Sequence, residues 1–327
     1  MRVVFTVRTA LFALLALTLL ATGCGIVGDK GAAYFHVGNN WQKGVGIAVG
    51  AKFNVTAERN DLTRKALTVV STTAQVVPLA TGGFQAVSQG AAQFQATDPA
   101  TAIAVDTVEF PVAAPAAVAL GAAWSNATAQ PFKLAAKFAL VQGGRYVGAI
   151  VVEDATGARL NHAAIGRVTC AGAAVKVTDD YVEATPTTLG ATTAVVQVVD
   201  AAGAVQATTS YDVQVVLAAD VAHLKLNSAT LQTGGTAPAD PDKGPNNPDP
   251  AQTASPKTQI FVLAIAATLA DGTPVYGPAV TWSESGNGHL LTKQSNGGNY
   301  AVLKSGETVT VTATLGALSA PVTLIAP

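Results

Sequence analysis

Long stretches of the chain alternate apolar and polar residues with a period of two. Phe132, Leu134, Ala136, Phe138 and Leu140 fall on one parity, with Lys133 and Lys137 on the other. Near the C-terminus Val309, Val311 and Ala313 alternate with Thr308, Thr310, Thr312 and Thr314, and Val280 and Trp282 flank Thr281. Successive side chains of a strand point to opposite faces, so this alternation predicts half-buried antiparallel strands with one face on a core. Ile260–Ala267 is an unbroken apolar run. Its β-branched residues, and the turn Asp271-Gly272-Thr273-Pro274 that follows, predict a central strand rather than a buried helix.

Gly82-Gly83, Gly143-Gly144 and Gly297-Gly298 punctuate the pattern. Many short strands separated by such turns predict sandwiches or barrels. The strands fall into three blocks, 33–114, 115–217 and 218–327, the first ending at the Pro-bearing step Ala113-Ala114-Pro115. Each is near the size of an immunoglobulin-like sandwich, about 100 residues. The fold class expected is therefore all-β, in tandem immunoglobulin-like β-sandwich domains. A proline-rich segment, 233–258, interrupts the third block between the expected strands Leu224–Gln232 and Ile260–Leu269. It is polar, lacks aromatic residues and reads as a long exposed loop.

The third block resembles the bacterial Ig-like repeats of the Big family. The resemblance is carried by Ser228-Ala229-Thr230-Leu231, Gly234-Gly235-Thr236, Ala266-Ala267-Thr268-Leu269-Ala270-Asp271-Gly272-Thr273-Pro274-Val275 and Pro278-Ala279-Val280-Thr281-Trp282-Ser283. The closing strands Val309-Thr310-Val311-Thr312-Ala313-Thr314 and Val322-Thr323-Leu324 fit the same pattern. The first block repeats it more faintly in Ala66–Ser71, Gly83–Val87 and Gly90–Thr97. The second shares only the strand rhythm. The resemblance implies a fold and a presenting role, not a reaction.

The N-terminus breaks the alternation. Arg2 and Arg8 precede an uncharged apolar run from Thr9 to Thr22. Fourteen helical residues reach roughly 21 Å, short of a ~30 Å bilayer core, so residues 1–23 read as a cleaved export signal rather than a membrane span. The run ends in Leu20-Ala21-Thr22-Gly23-Cys24, which resembles the lipobox of bacterial lipoproteins. That resemblance implies cleavage before Cys24, diacylglycerol on its sulfur and a further acyl chain such as palmitate on its amino group. It departs from the family in placing Ala21 where Leu is usual; the small residues also fit ordinary secretion with a free Cys24. Residues 24–32 are glycine-rich and read as a flexible tether. Gly25 stands where an Asp often marks inner-membrane retention, which leans toward the outer membrane or cell surface in a Gram-negative host.

Composition narrows the function. Nineteen Lys and Arg against 20 Asp and Glu give a net charge of −1, so no basic surplus points to nucleic acid. The sequence lacks S-x-x-K, H-E-x-x-H, G-x-S-x-G and a P-loop. His36, His162, His223 and His289 are scattered over three blocks. Asp179-Asp180 with Glu183, and Asp240, Asp242 and Asp249, offer carboxylates, but their spacing matches no Ca²⁺ loop and they read as solvated turns. Cys170 sits on the apparent inward parity and reads as a small buried hydrophobe. Trp282 reads as a core residue; Trp41 and Trp124 lie near block starts, where sugar stacking is the lesser alternative to a packing role.

The expectation is a non-enzymatic envelope lipoprotein anchored in the membrane at Cys24, without a cofactor or metal. Its tandem domains would serve adhesion, scaffolding or interaction with an envelope or surface protein. The alternative is a glycan-binding surface module, which would need an exposed planar row of aromatic side chains.

Overall fold

A computed structural model of the 327-residue chain describes residues 33–37, 45–60, 65–121, 133–178, 181–233, 258–291 and 299–327. The described residues are strands and turns apart from one short 3₁₀ turn, Ala218–Asp220. In chain order the first strands are β1 (Ala33–Val37), β2 (Gly46–Ala48), β3 (Lys52–Phe53), β4 (Val55–Arg59), β5 (Ala66–Ser71), β6 (Val76–Pro78), β7 (Phe84–Ala86), β8 (Gly90–Thr97) and β9 (Ala104–Ala113). Then come β10 (Ala117–Gly121), β11 (Lys137–Val141), β12 (Tyr146–Glu153), β13 (Arg159–Asn161), β14 (Gly166–Cys170), β15 (Ala173–Thr178), β16 (Tyr181–Pro186), β17 (Gly190–Val199) and β18 (Val205–Val216). The last are β19 (Val221–Thr233), β20 (Thr258–Leu269), β21 (Pro274–Tyr276), β22 (Thr281–Gly286), β23 (His289–Leu291), β24 (Asn299–Lys304), β25 (Thr308–Leu315) and β26 (Leu318–Ile325).

The chain forms two compact units. The first is 1–114 with 158–161; the second is 115–157 with 162–327. In the first, one sheet runs β1-β4-β5-β8-β9-β2-β13 and a small sheet runs β3-β7-β6. Strand β8 shows the alternation that builds its core: Ala92, Phe94 and Ala96 are fully buried, and the residues between them are half-exposed. The Phe94 ring meets Phe53, Phe84 and Phe110 edge to face. Asp98, 5% exposed at the end of β8, accepts hydrogen bonds from Arg59 Nη2 at 2.6 Å and from the Ala100 amide at 2.8 Å. The Arg59 bond above all holds the Asp98 carboxyl below its usual pKa.

In the second unit, β10, β12, β16 and β15 form a sheet. A longer one runs β14-β17-β18-β11-β21-β20-β24-β23, with β19 also pairing β20. A third sheet is β22-β25-β26. Ile150, Val152 and Val182 are almost fully buried, as are Val196, Val198 and Val213. Tyr146 and Tyr211 are buried too, and each phenol finds a partner, as buried hydroxyls must. Tyr146 donates to Gly121 O at 2.6 Å; Tyr211 accepts from the Leu120 amide at 2.8 Å. Burial pushes the Tyr146 phenol far above its ordinary value. Further along, Phe261, Leu263 and Leu303 face Val309, Val311, Ala313 and Leu324 across the gap between two sheets.

Strand β20 is central, flanked by β19, β21 and β24, as its continuous apolar run implies. The alternating segment around Phe138 differs from expectation. The strand is only Lys137–Val141, it runs parallel to both neighbours, β18 and β21, and Phe138 through Val141 are all buried. A strand between parallel neighbours with both faces covered carries apolar residues on both parities. Leu134 is buried and Ala136 exposed before it begins, and Phe132 lies outside the described residues. Segments 115–217 and 218–327 fall in one unit and share a sheet through β11 and β21, apart from 158–161, which belong to the first unit.

Candidate functional site

The expected anchor, Cys24, lies outside the described residues with the rest of 1–32. The first described strand begins nine positions after it. Ala33 donates its amide to Asp106 Oδ2 at 3.1 Å, and β1 pairs in antiparallel register with β4 from Ala33↔Arg59 to Val37↔Val55.

The other candidates come apart in the structure. Trp282 is half-buried and packs against the core built on Leu226, Phe261, Leu263 and Leu303; it does not stand out from the sheet as a free stacking platform. Trp41 and Trp124 are outside the described residues, as are Asp179, Asp180, Asp240, Asp242, Asp249 and the proline-rich segment 234–257. Glu183 is engaged by Arg145, whose Nε and Nη2 each donate at 2.9 Å to one carboxylate oxygen. That fork holds the Glu183 carboxyl below the usual range, and Lys176 stands opposite it across the β15–β16 pair.

His162 is 2% exposed, with Nε2 2.7 Å from Ile150 O, while His223 is exposed on β19. His36 and His289 lie on β1 and β23. Among the described residues no three His, Cys, Asp or Glu are grouped to hold a metal ion. Cys170, expected in the core, is half-buried instead. It ends β14, which among the described strands pairs only with β17 at one end of its sheet. Partial burial raises its thiol pKa against a smaller lowering from Thr192.

The feature that strand alternation hinted at is a surface. On β25 the inward set Val309, Val311 and Ala313 is buried, which turns Thr308, Thr310, Thr312 and Thr314 to the other side. The register of β22-β25-β26 extends this into rows: Thr281, Thr314 and Ser319; Ser283, Thr312 and Pro321; Ser285, Thr310 and Thr323. Strands lie about 4.8 Å apart, so hydroxyls of adjacent strands come within reach of one another or of one partner. Thr310 Oγ1 and Thr323 Oγ1 are 3.0 Å apart. The face carries no ionisable side chain, and Ile325, 63% exposed, stands at its border opposite Thr308. Such a face offers donors and acceptors without charge. It cannot ionise a nucleophile, but it can hydrogen-bond an extended polar partner. The Thr repeat was visible in the sequence; its continuation onto two neighbouring strands depends on register, which was not.

No family model matches the chain, and no curated protein matches it. Among solved structures it is similar to domains 4–9 of the surface-layer protein SbsC: 15% identity, 89% of this chain and 47% of that one, TM-score 0.34. It is similar to domains 5–6 of the same S-layer protein at 17% identity, covering 58% of this chain and 94% of that one, TM-score 0.31. For invasin, a bacterial integrin-binding protein, the figures are 13%, 90%, 59% and 0.23. The chain thus spans about half the length of the first of these structures. Similarity this low does not reach function, and the fold rests on the chain's own strands and registers.

Proposed function

We propose that the chain is a non-enzymatic lipoprotein of a bacterial cell envelope, anchored at Cys24, that presents immunoglobulin-like domains of the Big type to an envelope or surface protein. The observation that carries this reading is the end of the N-terminal apolar run, Leu20-Ala21-Thr22-Gly23-Cys24, behind Arg2 and Arg8. A chain made almost wholly of strands where it is described, beginning nine residues after that Cys, suits a protein that holds sandwiches near a membrane. The hydroxyl face of β22-β25-β26 is the surface offered to the partner. One acyl chain binds a membrane only marginally, so stable anchoring calls for the diacylglycerol and the amino-terminal acyl group together.

The test is fractionation of cells expressing the chain and its Cys24→Ser variant, combined with in-cell crosslinking and mass spectrometry. The parent protein is expected in the membrane fraction, crosslinked to a protein through residues of the hydroxyl face. The variant is expected in the soluble fraction or with its signal uncut. A parent protein that is soluble, or that binds a glycan array and crosslinks to no protein, contradicts the proposal.

A further inference from the structure

In the second unit, β10–β12 with β14–β18 and, after them, β19–β26 each pack sheet on sheet, and one short turn joins these two sandwiches. Strand β18 ends at Val216 and β19 begins at Val221, and both residues are buried, at 4% and 5% exposure. Between them Asp220 Oδ2 accepts the Leu217 amide at 2.8 Å, and the Asp220 amide returns to Leu217 O at 3.1 Å, closing a single turn. Val216 and Val221 belong to one apolar cluster with Ala139 and Val141 from before the turn and Ala267, Val275 and Leu315 from after it. This core belongs to neither sandwich alone.

Backbone and ring contacts join the same place. Strand β21 adds in parallel to β11, Ala139 opposite Val275 and Leu140 opposite Tyr276. The Tyr276 ring packs on Phe138 at 5.5 Å and on Tyr146 at 6.4 Å. Beyond it the Arg145 amide donates to Gly277 O at 3.1 Å. Gly277 has φ of +61°, and a Cβ there would lie 2.5 Å from Arg145 O; a Cβ on Gly144 would strike Gly277 O. Two glycines thus allow two backbones to touch, one from each sandwich. Lys137 and Asp271 close the rim with an exposed ion pair at 3.4 Å.

We infer that residues 115–157 and 162–327 form one cooperatively folding body, its two sandwiches fixed to each other by a built junction of buried apolar side chains, a shared sheet and the Gly144–Gly277 contact. Domains joined by a polar, flexible linker open and move separately, whereas a buried apolar core with paired strands couples them. The body has no hinge at 217–220. The hydroxyl face of β22-β25-β26 is therefore held at a set angle to the sandwich of β10–β12 and β14–β18, and a partner meets a rigid surface.

Native-state hydrogen exchange across a urea series on the purified protein tests this. The slowest amides of β17 and of β25 are expected to share one opening reaction, with the same urea dependence. Leu303→Ala removes a fully buried side chain from the core of the second sandwich, away from the junction. It is expected to speed exchange of the slowest amides ~30-fold or more, equally in β17 and in β25. Leu303→Val is read the same way, with a smaller shift, if the first variant does not fold. Gly277→Val is expected to separate the two strands, with β25 exchanging faster than β17. Different urea dependences in the unmodified protein, or acceleration of β25 alone by the Leu303 variants, would overturn the inference.

Discussion

Phe94→Ala is the sharpest probe of the first unit's core. The ring is fully buried in β8, with the rings of Phe84, Phe53 and Phe110 at 5.0, 6.0 and 6.0 Å. Truncating a buried Phe to Ala costs about 3–5 kcal/mol through lost transfer energy and the cavity left behind. Each edge-to-face pair adds about 0.5–1.5 kcal/mol beyond area. Three such pairs put the expected cost in the upper part of the range, about 4–5 kcal/mol. Since domains have only about 5–15 kcal/mol in total, this variant should lose a large share of the unit's stability. Phe94→Leu refills much of the space but loses the ring edges, and should cost about 1–2 kcal/mol. Urea denaturation followed by circular dichroism, with exchange of β8 and β9 amides read alongside, measures both. If Phe94→Ala shifts the unit by less than about 1 kcal/mol, the four-ring cluster does not organise this sandwich.

Three further outcomes follow from the packing. Trp282→Ala should cost about 2 kcal/mol, less than a fully buried Trp, because the ring is only half-buried against the core; a cost near zero, with loss of glycan binding, would point to a surface role. The Tyr146 phenol is neutral when folded and raised far above 10.0, so its contribution to stability is complete below pH 10 and falls as pH rises above it, where the unfolded phenol ionises first; alkaline denaturation should be shallower in Tyr146→Phe, and an unchanged slope would contradict the buried phenol. Cys170 should react with iodoacetamide at pH 8 more slowly than a free cysteine and gain speed at higher pH, because partial burial raises its thiol; full-speed reaction at pH 8 would refute that placement.

Local pattern carried most of what the sequence revealed about the fold. The Val-Thr alternation of 309–314 reads directly as a strand with one buried face, and Ile260–Ala267 as a central strand, because burial on one face or both imposes period two or a continuous run. Pattern failed where neighbours decide. Phe138–Val141 are buried on both parities in a strand that β18 and β21 flank in parallel, and β21 is contributed by a segment more than 130 residues away. Cys170 sits on the apolar parity of β14, yet at one end of its sheet it is only half-buried. The join between the two sandwiches of the second unit was equally hidden. It rests on Gly144 meeting Gly277 and on Tyr276 reaching Phe138, and nothing in either local segment announces the other. The candidate surface was half legible: the Thr repeat belongs to one strand, whereas its rows come from three.

The membrane anchor tests the functional account most directly, through mass spectrometry of the N-terminus of the protein purified from bacterial membranes. The account predicts a chain beginning at Cys24, with diacylglycerol in thioether linkage on the sulfur and an acyl group on the amine. A mature N-terminus with an unmodified Cys24, a chain still beginning at Met1 in wild-type cells, or a Cys24–Cys170 disulfide would contradict it and make the protein an ordinary secreted or unprocessed one.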